Sequence, residues 1–438
     1  MKTGIRVLLI LFLLAAMLPA GRVSAAENPD PQCAEVAKAL GVSYKTGVID
    51  GSIYCILYPP TRRWNRDMVI FAHGYVDARQ PIGNAWDQMI RGDVNLPQIL
   101  LGLGYGFATT SYSKNGLAVK QGVSDIVALA NFLRSTNRKV RRIYLTGASE
   151  GGLVTALAAE QFPQSFSGAF ATCGPIGDFQ GQIQYWGNFR VGYDTAFPTN
   201  PLVAPVGPYG PSTPISIDPI LVQNWEAVAA YIANDLATNP ASGATAVGLL
   251  DYLGIPYDPA NLTTVGESLL GLLYYNVEAT NDGRMTLVPG TTLEEIASSN
   301  KGNPYYLPAL TSPVYPAGFE PDPLALAEIA AYYQTTAKLS IPMVIMHTSG
   351  DPIVPAWHAT GYLQKAIAQR TLLRYVTYLP VERYGHCNFT PAEMVLGFYV
   401  MVLRATLQPF SATQIEAALP DAKWQAEFKQ LKEKHKEK

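Results

Sequence analysis

Short apolar runs alternate with stretches of helical spacing along much of the chain. Residues 42–58 alternate and are rich in β-branched and aromatic side chains, with Asp50-Gly51 at their middle, so they predict a β-hairpin. Met68 to Ala72, Phe107 to Tyr112, Arg142 to Thr146 and Ala169 to Thr172 predict strands. A helical stretch is expected over roughly Asn84 to Leu101. Another covers Val119 to Leu133, with Val123, Ile126, Val127, Ala130 and Leu133 on one face. Gly151 to Gln161 predicts a helix that stops before Pro163. The alternation ends after Cys173 and resumes near Ile341, with Met343 to His347 a strand and Pro355 to Ala368 a helix. Leu373 to Leu379 predicts a further strand and Pro391 to Leu407 a closing helix. Strands alternating with helices indicate an α/β fold, a mainly parallel central sheet flanked by helices.

The two halves are separated by about 165 residues, against ~4–6 for an ordinary connection. This gives a core of residues 27–175 and 340–413 and an insert of residues 176–339. Helix-like runs such as Trp225 to Leu236 and Leu324 to Thr335 make the insert a largely helical cap over the functional edge of the sheet. Residues 414–438 are a charged tail, expected as a surface helix that frays. Residues 1–26 look like a secretory signal: Lys2 and Arg6, an apolar run from Val7 to Leu18, then Ser24-Ala25-Ala26. That run is about 12 residues, short of the ~20 that span a bilayer. The mature chain is expected to start near Ala26 or Glu27 and to be secreted or periplasmic, with no stable membrane insertion once the signal is cleaved.

Composition narrows the class. Hydrophobic residues make up 48% of 438 and charged residues 15%, with 32 Lys and Arg against 34 Asp and Glu. A nearly neutral chain lacks the electrostatic footprint for nucleic acid, and one this apolar is not intrinsically disordered. The expected partner is thus a substrate, small or polymeric, and not nucleic acid. All four cysteines, Cys33, Cys55, Cys173 and Cys387, follow the signal. Four cysteines allow three pairings, and their spacing does not choose among them. No clustered Cys/His spacing suggests zinc, and no metal is expected.

Candidate chemistry centres on Gly147-Ala148-Ser149-Glu150-Gly151, a G-x-S-x-G turn with a strand before it and a helix after it. Gly147 and Gly151 allow a sharp turn that stands the Ser149 hydroxyl on an elbow at the sheet edge. Of the five histidines, His435 lies in the tail, His73 sits at a strand end before Gly74, and His347 closes a strand. His358 falls inside a helix as a surface or packing residue. His386, in the loop after the last strand, is the best-placed base. Asp351 follows the Met343–His347 strand and would orient that imidazole; its alternative role is a turn or N-cap residue. The chain order Ser149, Asp351, His386 is the one this architecture uses. Oxyanion donors are expected from the backbone of Glu150 and, with Gly74 permitting close approach, of Tyr75. The Glu150 carboxylate either caps its helix or binds a substrate amine. Asp351, His347 and His358 fit no metal motif.

On His73-Gly74-Tyr75, Gly147 to Gly151, Gly350-Asp351 with Val354-Pro355, and Gly385-His386, the chain resembles the α/β-hydrolase-fold serine hydrolases, over roughly residues 42–175 and 340–408. The resemblance implies an eight-stranded sheet, a Ser-His-Asp triad, a covalent acyl-enzyme and no cofactor. Its members include carboxylesterases, lipases, feruloyl esterases and peptidases of the prolyl-oligopeptidase kind. Cys387 beside His386 is similar to the tannase and feruloyl esterase group, where that cysteine pairs with one beside the serine. Position 148 is Ala here, so the resemblance implies Cys173 as the partner and leaves Cys33 with Cys55. The expected activity is carboxylic-ester hydrolysis. The alternatives are a serine peptidase or aminopeptidase using the same residues, and an inactive binding protein, which would have lost a triad member. The pairs Tyr185-Trp186, Tyr274-Tyr275, Tyr305-Tyr306 and Tyr332-Tyr333 either line a pocket for an aromatic or long acyl group or simply pack the insert. The second is preferred, because aromatics mostly supply burial.

Overall fold

The computed structural model describes residues 28–197, 225–276 and 323–436. The expected signal, residues 1–26, and the Tyr305-Tyr306 pair lie outside the described residues. Among the described residues no helix is long and apolar enough to cross a membrane.

Eight strands form one sheet: β1 (Ser43–Ile49), β2 (Ser52–Tyr58), β3 (Met68–Ala72), β4 (Gly106–Thr110), β5 (Ile143–Ala148), β6 (Gly168–Thr172), β7 (Met343–Gly350) and β8 (Val376–Tyr384). Their spatial order is β1-β2-β4-β3-β5-β6-β7-β8. The pairs β1·β2 and β2·β4 are antiparallel and all the others parallel. This is the eight-stranded, mainly parallel sheet that the resemblance implies. Asp50 (φ 49°) and Gly51 (φ 88°) make the β1–β2 turn, both at the positive φ that a two-residue hairpin favours. Chain order reverses at β3, which has β4 on one side and β5 on the other. Crevices for ligands open at such a point, beyond the carboxyl ends of the strands.

The central strands are apolar throughout because both faces of the sheet are covered. Met68, Ile70, Ile143, Leu145, Ala169, Met343 and Ile345 enter the core on one face. Val69, Phe71, Tyr144, Phe170, Val344 and Met346 enter the core on the other, the period of two expected of a pleated strand. Over the second face lie α1 (Pro31–Leu40), α2 (Leu96–Gly102) and, further along the chain, the closing helix. Over the first lie α3 (Val119–Thr136), α4 (Glu150–Gln161) and the helices between β6 and β7. Among the described residues those are α5 (Phe179–Ala196), α6 (Trp225–Thr238), α7 (Pro240–Leu253), α8 (Thr263–Tyr274) and α9 (Pro323–Tyr332). Both disulfides have formed, Cys33–Cys55 from α1 to β2 and Cys173–Cys387 from the end of β6 to the loop after β8.

Three elements differ from expectation. Asn84 to Leu101 is not one helix: a single turn at Trp86–Met89 leads into a two-residue hairpin, Ile90–Arg91 with Val94–Asn95, before α2. Gly92 (φ 56°) makes that turn, and the Asn95 side chain caps α2 through Gln98 N–H at 3.0 Å. Leu373 to Tyr375 belongs to a helical turn, Leu372–Tyr375, and β8 starts only at Val376; Leu373 is 93% exposed, so its apolar character marks no buried strand. The tail packs instead of fraying. After α10 (Trp357–Ala368) and the closing helix α11 (Pro391–Thr406) come α12 (Ala412–Ala418) and α13 (Ala422–Lys436). Trp424, Phe428 and Leu431, spaced as one helical face, join the second core, with Phe428 buried edge-on to Tyr399.

Candidate active site

Ser149 stands between β5 and α4 with φ 58°, a left-handed conformation costing a non-glycine residue about 1–3 kcal/mol. Glycines make the turn possible. A side chain at Gly147 would meet the Gly151 carbonyl, one at Gly151 the Ala72 carbonyl, and one at Gly152 the Thr172 carbonyl. The helix therefore crosses the strands in backbone contact, and Ser149 N–H donates to Thr172 O at 3.0 Å.

Asp351 and His386 reach the same rim from β7 and β8. The His386 imidazole lies 2.9 Å from Ser149 Oγ through Nε2 and 2.7 Å from Asp351 Oδ2 through Nδ1. A carboxylate only accepts, so Nδ1 carries the proton and Nε2 is left to accept from the serine hydroxyl. Asp351 is fully buried. Its Oδ1 accepts from the N–H groups of Ile353 and Val354, both at 2.9 Å, so it serves as turn residue and imidazole partner at once. The His386 loop is fixed on several sides: Gly385 N–H donates to Gly350 O at 3.0 Å, Thr348 Oγ1 donates to Gly385 O at 2.6 Å, and Cys387 is tied to Cys173.

The other expected residues surround this group. Gly74 is pressed against Ser149: a Cβ built there would lie 3.1 Å from Ser149 Cβ and from Ala148 O. His73 is buried, stacks on Tyr112 at 3.8 Å and uses Nδ1 on Gly74 O at 2.7 Å, a packing role; burial lowers its pKa. His347 is fully buried too, its Nε2 2.7 Å from Val354 O and 3.6 Å from Asp351 Oδ2. Burial lowers its pKa, partly opposed by the Asp351 charge. The Glu150 carboxylate is turned inward. Its Oε1 accepts from Ala118 N–H at 2.7 Å, joining α4 to the start of α3, which is neither of the two roles expected for it. His358 is a packing residue, fully buried. Among the described residues, Asp30, Cys33 and Cys55 come close enough to share a metal, but the two cysteines are bonded to each other.

Two glutamines carry no sequence signal, yet hold the site. Gln88 Oε1 accepts from Gly74 N–H at 2.6 Å and its Nε2 donates to Tyr75 O at 2.9 Å, fixing the segment beside Ser149. Gln182 on α5 donates to Ile353 O at 2.9 Å. Of the aromatic pairs, Tyr185 hydroxyl and Trp186 Nε1 donate to the carbonyls of Pro352 and Ile353 at 2.8 and 3.1 Å. Tyr275 stacks on Trp186 at 5.3 Å and meets Tyr75 edge-on at 5.9 Å. Burial, helped by the Asp351 charge, pushes the Tyr275 phenol up to about 12.

No family model and no curated protein matches the chain. Among solved structures it is similar to feruloyl esterase B from Aspergillus oryzae, at 13% identity and a TM-score of 0.44, over 84% of this chain and 81% of that one. It is also similar to the esterase PF2001 of Pyrococcus furiosus, at 12% identity and a TM-score of 0.41, over 86% and 94% of the two chains. A third is an acylaminoacyl peptidase of Pyrococcus horikoshii, at 12% identity and a TM-score of 0.35, over 79% of this chain and 37% of that one.

Proposed function

We propose that the protein is an exported serine hydrolase that cleaves carboxylic esters. The reading rests on one observation: the unbroken chain from Ser149 Oγ to His386 Nε2, and from His386 Nδ1 to Asp351, at 2.9 and 2.7 Å. Ser149 attacks the ester carbonyl while His386 takes its proton and then passes it to the leaving alcohol. Asp351 holds the imidazole in the tautomer that can accept and stabilises the cation that forms. The backbone N–H groups of Tyr75 and Glu150 stabilise the oxyanion, each such donor being worth about 3–4 kcal/mol. Water activated by His386 then releases the acid. These steps need no cofactor.

The inward turn of Glu150 favours ester over aminopeptidase chemistry, because Oε1 is committed to Ala118 N–H and not aimed at a substrate amine. The two disulfides fit an oxidising compartment, secreted or periplasmic, as the amino-terminal signal pattern implies. Neither nucleic acid nor a lasting membrane anchor belongs to this reading. The test pits p-nitrophenyl esters of graded chain length against aminoacyl and prolyl p-nitroanilides. Turnover of the esters, lost in Ser149→Ala, is expected; preference for the anilides would transfer the site to peptide chemistry.

A further inference from the structure

The Asp351 carboxylate gives one oxygen to His386 and the other to the backbone ahead of it. Oδ1 accepts the N–H groups of Ile353 and Val354. Each of those N–H groups belongs to a planar peptide unit whose carbonyl points the opposite way. Both carbonyls are taken by side chains of α5. Pro352 O, in the unit that carries Ile353 N–H, accepts from the Tyr185 hydroxyl. Ile353 O, in the unit that carries Val354 N–H, accepts from both Gln182 Nε2 and Trp186 Nε1. Two consecutive peptide planes are thus gripped by the insert at one end and by Asp351 at the other.

Gln182 is itself fixed. Its Oε1 accepts from His358 Nε2 at 2.7 Å, while His358 Nδ1 accepts from the N–H groups of Gly177 and Asp178 at 3.2 and 3.3 Å. Two donors at Nδ1 leave the ring neutral with its proton on Nε2, and burial holds its pKa well below the usual value. The amide oxygen of Gln182 must then face His358 and its nitrogen must face Ile353. Gln182 and His358 are both fully buried, so each hydrogen bond made here is costly to leave unmade.

We propose that Gln182, Tyr185 and Trp186 are positioning residues for the Asp351 carboxylate. By fixing the two peptide planes that present N–H groups to Oδ1, they set the angle at which Oδ2 meets His386. The insert thereby acts on the reaction without touching substrate at these three residues. This rests on the triad reading above.

The test compares kcat and KM for p-nitrophenyl acetate in the parent, in Tyr185→Phe, and in the double variant Gln182→Met/Trp186→Phe. The double variant leaves Ile353 O without either donor and should lose about 10²-fold in kcat, the size of effect expected from misplacing a catalytic group by about 1 Å. Tyr185→Phe should lose about 3–10-fold, and KM should stay within about twofold in both. Trp186→Phe alone keeps the Gln182 donor and should retain most of kcat. Ile232→Val, a buried packing change elsewhere in the insert, should leave kcat and KM at parental values. Parental kcat in Tyr185→Phe and in the double variant, or a loss carried by KM, overturns the proposal. If the double variant shows no cooperative thermal unfolding, Tyr185→Phe decides alone, since it removes one hydroxyl and keeps the ring. A Ser149→Ala protein that still turns over the ester would instead overturn the triad reading itself.

Discussion

Ser149 and Asp351 are held in place by different means. The serine depends on backbone: a strand, a left-handed residue, a helix start, and glycines that let α4 lie directly on β3 and β6. The residues that make the turn itself all stand within a few positions of it. Asp351 depends on side chains that arrive from far along the chain. Tyr185, Gln182 and Trp186 come from the insert, while the neighbouring His347 on β7 holds Val354 O. His386 resembles Asp351 in this respect, with Tyr384, just before it, donating to Thr264 O of α8 at 3.1 Å. A serine held by local backbone is insulated from changes in the insert. Under the proposed mechanism, the Asp351–His386 pair is open to them, so the insert would tune the reaction.

The largest effect should come from the propped side. Asp351→Asn keeps the shape but offers an amide N–H where His386 needs an acceptor, so kcat should fall about 10⁴-fold with the fold intact by circular dichroism. A loss under tenfold would mean that the carboxylate is not the imidazole's partner. The backbone-built side should fail in stability instead. Gly151→Ala forces a Cβ against the Ala72 and His73 carbonyls, and the cost should be about 3 kcal/mol in denaturant unfolding. A fully stable Gly151→Ala protein would show that the elbow has slack.

The two disulfides divide in the same way. Cys33–Cys55 spans 22 residues far from the imidazole, and replacing both cysteines by Ser should cost about 3 kcal/mol of stability with kcat unchanged. The same exchange at Cys173 and Cys387 should lower kcat as well, because it loosens the His386 loop. Equal kinetic effects of the two pairs would erase the distinction. The most gradual effect is on acid stability. His73, His347 and His358 are buried with lowered pKa values, so the unfolded chain binds protons that the folded one refuses. Stability is therefore complete above the unfolded value of about 6.5 and declines as pH falls below it, by at most about 1.4 kcal/mol per pH unit for each histidine. Urea midpoints from pH 7 to 5 measure this, and His358→Gln should flatten the slope.

How much of this could be read from the sequence follows the same division. The elbow was legible because its geometry is a property of five neighbouring residues. Asp351 and His386 were legible through order along the chain and strand context. The residues that prop Asp351 were not: Gln182 reaches Ile353 across 171 positions, and a glutamine in a helix has no pattern that announces a distant carbonyl. Gln88 was hidden further by the reading of Asn84 to Leu101 as one helix, where Gly92 breaks the chain into two short pieces. The Tyr185-Trp186 pair was visible as burial, but its polar tips on the Pro352 and Ile353 carbonyls depend on how the insert sits. The tail misled because its charges outnumber the Trp424, Phe428 and Leu431 stripe that docks it.

The most direct measurement is the intact mass of the folded protein after brief exposure to a fluorophosphonate, followed by peptide mapping. A single adduct on Ser149, formed rapidly in the parent and at least about 10²-fold more slowly in His386→Ala, is the expected result. An adduct on another residue, or labelling of Ser149 at the same rate without His386, would contradict the account.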